Sequence, residues 1–527
     1  HVDLDEGTWS WMIPPAPIAD ADIAEVKTHE IVIIGSGMSG LCCGASAAQQ
    51  GADVIVFSAG SKPMSRGGSV QAIGSKYEAE QGVEDNPELR RPAIMMDQIG
   101  ANHMANNRLW ERWMNKSGES MDWAIDMLGA KGLMPSLAPK YDDIDGIIDG
   151  IPGEHNFYTA EAELGVFMGA PLAAQAYASW LTDDFGCEID YNTVAQYLIR
   201  DDNNTGRVSA VIAQDAEGRY IKYEATKAIV LATGDFSKDP DMMAYYCPFA
   251  WKQFKDMFLS NTEINYDVEM GYTGLMPGTG QKMGLWIGAA WQKAIPNAPM
   301  INGGVGGPGH CVINSFWGLN LAKDGKRFHN ENTNFAFGAY DVLYLPEQTA
   351  YGIWDVNYAY TRDQWEGLGC TINNVTSYKP STPEQLIESW NSGRYIKADT
   401  LEELVAQLDI DQEAALESIA RYNEYAKNGL DEEYHVNPAL LHPIDTPPFF
   451  ASKSSGGTFL TVMGGLRCNE HLNVLDANDQ PIEGLYEVGT MIGDFFAGTY
   501  NFAISGLNLG ACCTTFPYLL GRELAAK

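Results

Sequence analysis

The stretch from Ile31 to Ser58 narrows the possible folds of this chain more than any other. It reads "IVIIGSGMSGLCCGASAAQQGADVIVFS": an apolar strand, a glycine turn, a helix of small residues and a second apolar strand. Gly35, Gly37 and Gly40 fall as G-x-G-x-x-G directly after the first strand and open the helix. In such a βαβ unit the first glycine makes the turn and the second lets a pyrophosphate approach the backbone. The third lets helix and strand pack, with the phosphates at the helix N-terminus. The flanking strand and helix favour a bound dinucleotide over a merely tight turn. An acid is expected about 20 residues on, at the end of the second strand, to bind ribose hydroxyls. Ser58 stands there instead, so adenosine binding is expected in altered form, and this position alone does not separate FAD from NAD.

The chain has 527 residues, 45% hydrophobic and 11% aromatic, enough for two intimate domains with a large core. The 54 glycines suit a backbone that approaches a ligand in several places. A net charge of -35 would repel nucleic acid and anionic membranes. The longest apolar stretches, such as "EIVIIG" and "MGLWIGAAW", fall short of the roughly 18 residues of a membrane helix, so no integral membrane segment is expected. Nine cysteines show no CxxC and no Cys/His cluster at metal spacing, which predicts buried free thiols and no metal. The lead "VDLDEGTWSWMIPPAPIADADIAEV" after His1 reads as an extended arm, and processing of a longer chain would explain its start.

Further along, Asp97 to Leu128 has the periodicity of one long helix. "CEIDYNTVAQYLIR", "RVSAVIAQDAEGRYIKYEA" and "KAIVLATGDFS" read as strands, with an antiparallel meander turning at "AEG". From about Pro296 to about Ser455 the character shifts to Trp-, Asn- and Pro-rich loops, a hairpin turning at Asp324 and Gly325, and a helical segment capped by Thr400. From Gly456 the glycine-dense strand and turn signals return. The predicted division is an arm over 1–26, a nucleotide-binding domain from 27–295 and 456–527, and an inserted domain over 296–455.

Further stretches carry a resemblance: "RGGSVQAIGS", "IVLATGD", "GLYEVGTMIGD" before "SGLNLGACCTTF", and "DGKRFHNE" and "TVMGGL" in the middle. Together they resemble the flavoprotein subunits of fumarate reductase and succinate dehydrogenase, with soluble relatives such as urocanate reductase and the 3-ketosteroid dehydrogenases. The resemblance runs from Glu30 to the C-terminus. It implies an α/β (α+β) fold: a Rossmann-like FAD-binding domain built from both chain ends with an inserted capping domain. It also implies FAD at Gly35, Gly37, Met38, Ser39, Gly40, Ser58, Gly67, Gly68, Ser69, Gly74, Val194, Gly234, Thr490, Ser505, Gly506 and Asn508. Val70 stands where membrane-bound members attach flavin through histidine, so the FAD is expected to be noncovalent.

The departures from that family are as informative as the matches. Phe335 occupies the slot of the proton-donating arginine, and Leu460 and Thr461 replace a histidine pair. "IPNAPMING" replaces a histidine-proline pair, and Asn501 or Ile504 stands for a substrate-binding arginine. Holding a dianion requires converging cations, so a pocket without them should prefer a neutral, hydrophobic acceptor. Trp317, Phe335, Phe337, Tyr340, Phe495, Phe496, Tyr500 and Phe502 agree, though core packing claims at least half of them. Arg327 and Glu331 are read as tying down the hairpin as an ordinary surface or supporting pair.

The expected activity is reduction of an activated C=C bond, of the enone or enoate type. Hydride would pass from flavin N5 to the β carbon, and Tyr500, or second Tyr340, would supply the proton; Phe335, Thr461 and Asn501 would line the substrate pocket. His329 is a third proton donor that strand alternation would turn to solvent. The alternatives are a ketosteroid-type dehydrogenase and a noncatalytic flavin-binding electron-transfer protein. With no CxxCH, cluster motif or second glycine-rich nucleotide fold, electrons are expected from a separate cytochrome, flavoprotein or other carrier. The arm and the acidity resemble exported, extracytoplasmic bacterial members that serve anaerobic respiration.

Overall fold

The computed structural model describes residues 9–100, 104–137, 153–160, 169–260, 263–267, 275–303, 318–331, 340–361, 382–454, 457–500 and 504–527. The expected βαβ unit is β1 (Ile23–Ile34), α1 (Met38–Gln49) and β2 (Val54–Phe57), with β1 and β2 parallel. β3 (Val70–Gln71), β4 (Leu133–Leu137) and β5 (Glu154–Thr159) form a small antiparallel sheet in the order β3-β5-β4. β6 (Glu188–Asp190) joins the free side of β2. β7 (Val194–Arg200), β8 (Val208–Gln214) and β9 (Tyr220–Leu231) make the predicted meander, and β9 then runs parallel beside β1.

β10 (Ala298–Gly303) leads to a second sheet of β11 (Leu319–Ala322), β12 (Ala350–Asp355), β13 (Ile396–Ala398) and β14 (Phe449–Ser454), antiparallel in the order β11-β12-β14-β13. β15 (Gly457–Met463) returns antiparallel to β10. β16 (Asn473–Leu475) and β17 (Pro481–Glu487) then complete the main sheet, whose order is β16-β17-β9-β1-β2-β6. The sheet therefore draws strands from both ends of the sequence.

Parallel strands buried on both faces need apolar residues at consecutive positions, which "IVII" and "VIVF" supply. Ile31, Ile33, Val54 and Val56 face a core shared with α1 and the helices Asn107–Gly129 and Phe516–Ala525. Val32, Ile34, Ile55 and Phe57 face a second core lined by the meander. A third core, with Trp354, Trp390, Tyr422 and Phe450, lies on the sheet of the inserted region.

Several expectations are corrected. β1 starts at Ile23, inside the predicted arm, and Trp11 is buried against Tyr245 and Tyr246, so the lead is packed rather than merely extended. The single helix expected over Asp97 to Leu128 is two, Pro87–Gly100 and Asn107–Gly129. The Asn106 side chain accepts the Arg108 N–H and starts the second helix afresh. Asp324 and Gly325 do make a turn, with the Gly325 N–H donating to Ala322 O, but the segment after it is not a strand, and β11 pairs with β12 instead.

Candidate functional site

The G-x-G-x-x-G turn opens onto a cavity of about 310 Å³. Gly35 adopts φ +120°, and a Cβ there would lie 2.2 Å from Ala232 O. A Cβ on Gly40 would lie 2.1 Å from Gly35 O, so the third glycine sits behind the wall, where helix meets strand. Gly37 is the N-cap of α1 and gives the helix no side-chain cap, which leaves the first N–H groups to a ligand in the cavity. At the end of β2, Ser36 Oγ donates to Ser58 Oγ at 2.9 Å, two hydroxyls where an acid was expected. Opposite, Asn508 Oδ1 and Ser505 Oγ are buried without a hydrogen-bond partner among the described residues, and the Asn508 amide donates to Thr490 Oγ1 at 3.4 Å.

The other end of the cavity is apolar. Leu275, Met276, Met300, Leu460 and Met463 line it together with Thr461 and Tyr500. Among the described lining residues Arg66 is the single charged side chain, and its Nη2 donates to Leu460 O at 2.8 Å. The Tyr500 ring packs edge-on to Phe496 at 4.7 Å, and the Asn508 N–H points to its hydroxyl oxygen at 3.5 Å. Burial pushes the Tyr500 phenol well above its usual pKa, an effect only partly offset by that N–H. Thr461 Oγ1 donates to Asp235 Oδ2 at 2.5 Å.

A family profile described as "FAD binding domain" matches residues 30–507. The chain belongs to the FAD-dependent fumarate reductase and succinate dehydrogenase flavoprotein family. A vinyl phenol reductase of Lactiplantibacillus plantarum is 24% identical over 521 residues, covering 95% of this chain and 96% of the relative. A fumarate reductase (cytochrome) of Shewanella frigidimarina is 24% identical over 509 residues, covering 94% of this chain and 77% of the relative. Among solved structures, 3-ketosteroid-delta4-(5alpha)-dehydrogenase from Rhodococcus jostii RHA1 superposes with a TM-score of 0.70 at 22% identity, covering 97% of this chain and all of that one, a likeness of fold. The flavoprotein is an oxidoreductase of CH–CH and C=C groups, and its cofactor is FAD. The uncapped helix start, the glycine approach and the orphaned Asn508 oxygen fit that cofactor.

Of the positions that the family resemblance singled out, the flavoprotein brings Gly35, Gly37, Met38, Ser39, Ser58, Gly67, Gly68, Ser69, Val194, Gly234, Thr490, Gly506 and Asn508 around one cavity with Thr461 and Tyr500. Gly40 and Ser505 stand behind it. Gly74 instead lies against the helix Asn107–Gly129, where a Cβ on Gly118 would be 2.4 Å from Gly74 O. Tyr340 is off the wall: its ring stacks on Phe249, and its hydroxyl lies 3.3 Å from Thr499 Oγ1. Phe335 and Asn501, with Trp317, Phe337 and Phe502, lie outside the described residues.

His329 is buried rather than turned to solvent, with its ring nitrogens 2.9 Å from Asp341 Oδ2 and 3.1 Å from Asn320 Oδ1. Arg327 is likewise no surface residue. It is buried between Glu331 and Asp431, 2.6 and 2.8 Å away, and fastens the post-turn segment to a distant loop. Sequence reasoning missed Arg66, Met300 and Asp235. Arg66 and Asp235 adjoin the recognised glycines Gly67 and Gly234, and that adjacency was the available signal.

Proposed function

We propose that this flavoprotein reduces an activated carbon–carbon double bond, of the enone or enoate type, in an uncharged and hydrophobic small molecule. The observation that carries this reading is the single charged side chain on the described cavity wall, already bonded to a backbone carbonyl. A dicarboxylate needs several converging cations to offset the loss of its hydration, whereas Met300, Leu460 and Met463 favour an apolar ligand. The Lactiplantibacillus relative is named for vinyl phenol, which supports the same reading.

FAD, held noncovalently because Val70 offers no nucleophilic nitrogen, supplies the hydride equivalent when bound. The protein's own part is to bind and orient the alkene, exclude water and deliver a proton. Tyr500 is the proton donor in this reading, since its buried phenol keeps its proton and lines the cavity. A phenol held neutral suits reduction better than the reverse desaturation, which needs a phenolate base. Residues 296–455 would form the capping domain over the alkene. Electrons would come from a separate carrier, outside the cytoplasmic membrane. Among the described residues no helix is long and apolar enough to cross a membrane, and fractionation of native cells would test the location.

The deciding experiment is anaerobic: the protein is reduced with viologen, and flavin reoxidation is followed against neutral enones, aryl alkenes, urocanate and fumarate. Rapid reoxidation by neutral acceptors and none by fumarate is expected. Fumarate turnover, or silence from every acceptor, would overturn the proposal.

A further inference from the structure

We propose that Asp235 sets the substrate preference of this cavity by fixing Thr461 as a hydrogen-bond acceptor, so that the wall selects a substrate carrying a neutral hydroxyl and rejects carboxylates. This rests on the reading of the cavity as an uncharged-substrate pocket.

Thr461 lies on β15 opposite Met300 of β10, lines the cavity and is 6% exposed. Asp235 follows Gly234 and is 2% exposed. An ionised carboxylate only accepts, at about four lone-pair sites. Asp235 Oδ1 takes the Ser237 N–H at 3.3 Å and the Met276 N–H at 3.1 Å. Its Oδ2 takes Ser237 Oγ at 2.8 Å and Thr461 Oγ1 at 2.5 Å. Ser237 Oγ itself accepts the Leu275 N–H at 3.0 Å, so its proton is committed to Asp235 as well.

Every partner of the Asp235 carboxylate among the described residues therefore donates, and the single hydroxyl proton of Thr461 is spent on it. What Thr461 Oγ1 can still offer a ligand is lone pairs. A substrate hydroxyl can donate to that oxygen, whereas a carboxylate would meet lone pairs backed by a buried negative charge. Asp235 acts through Thr461 and is a positioning residue.

The test uses the oxidised holoenzyme, titrated with para-propylphenol and with its methyl ether, which differ at the O–H. Binding is followed by the perturbation of the flavin absorbance and by calorimetry. The phenol should bind about five- to tenfold more tightly than the ether, the worth of one neutral hydrogen bond. Thr461→Val should erase that preference, and Thr461→Ser should keep it. Asp235→Asn, whose amide can donate to Thr461 Oγ1 and turn the hydroxyl proton into the cavity, should abolish it, because the phenol and ether oxygens can both accept that proton. FAD content, read from absorbance, reports whether each variant is folded. Equal affinities in the wild type, or a preference that survives Thr461→Val, would overturn the inference; in the latter case a shift of the unliganded flavin spectrum would show the hydroxyl facing the cofactor. Tight binding of fumarate, or no binding of either neutral ligand, would overturn the uncharged-pocket reading too. Neutral ligands bound equally with fumarate excluded would sink this inference alone.

Discussion

Tyr500 joins one edge of the FAD cradle to the apolar end of the cavity, because its hydroxyl meets the Asn508 N–H while its ring packs on Phe496. Replacing it by phenylalanine removes one oxygen and little packing. Tyr500→Phe is expected to keep its FAD and to lower the rate of alkene-dependent flavin reoxidation by about 10²–10³-fold, measured by anaerobic stopped flow. Since burial raises the phenol pKa, the wild-type rate should show no alkaline loss from Tyr500 near neutral pH. Single residues were legible where a motif surrounds them. Tyr500 was found because it precedes the glycine of the last flavin stretch, whereas an aspartate after a strand, such as Asp235, does not reveal which hydroxyl it will hold. That Leu460 and Thr461 bring no charge is plain in the sequence, and both line the cavity.

Between strand and helix, the backbone leaves no room for a side chain at Gly35 or at Gly40. Gly40→Ala would force Gly35 O and the Ala232 methyl apart, and the protein should be isolated without yellow colour, or insoluble, as read by its visible absorbance. The Arg327 clamp works between elements as well. Its partners Glu331 and Asp431 are buried, with side chains 1% and 0% exposed, so Asp431→Asn should destabilise the fold by about 3–5 kcal/mol in denaturant melts at neutral pH. Burial alone would raise the Asp431 pKa, but hydrogen bonds from Arg327 hold it down at about 2. A carboxyl depressed in the folded state contributes stability above its unfolded pKa of about 4 and loses that contribution as pH falls through about 2. Melts of the wild type should thus weaken across that acid window, and those of Asp431→Asn should weaken less. The sequence pattern showed the turn at Gly325 but not the burial of Arg327, because its partner Asp431 lies 104 residues away.

For the molecule as a whole, the net charge of -35 governs encounters with electron donors. Reduction by a dicationic viologen should slow as salt is raised and reduction by anionic dithionite should speed up, in stopped-flow traces at increasing ionic strength. Equal salt dependence for the two would mean that charge does not steer the encounter. The return of glycine-dense strand and turn signals after Gly456, "GLYEVG" among them, made the two-ended sheet legible. The sheet of the inserted region was less so, since β12 and β14 are buried along most of their length and show no alternation to read.

The two-ended sheet also orders events at the ribosome. β17 adds to the open side of β9, and the last helix packs on α1 so closely that a Cβ on Gly521 would lie 2.5 Å from Cys43 O. The first half of the nucleotide-binding lobe therefore emerges with one strand edge and one apolar helix face uncovered, and it waits for the whole inserted region to be translated before they are closed. For that interval the nascent chain is open to aggregation and to chaperones, and the cavity, which Gly506 and Asn508 help to line, is not yet built.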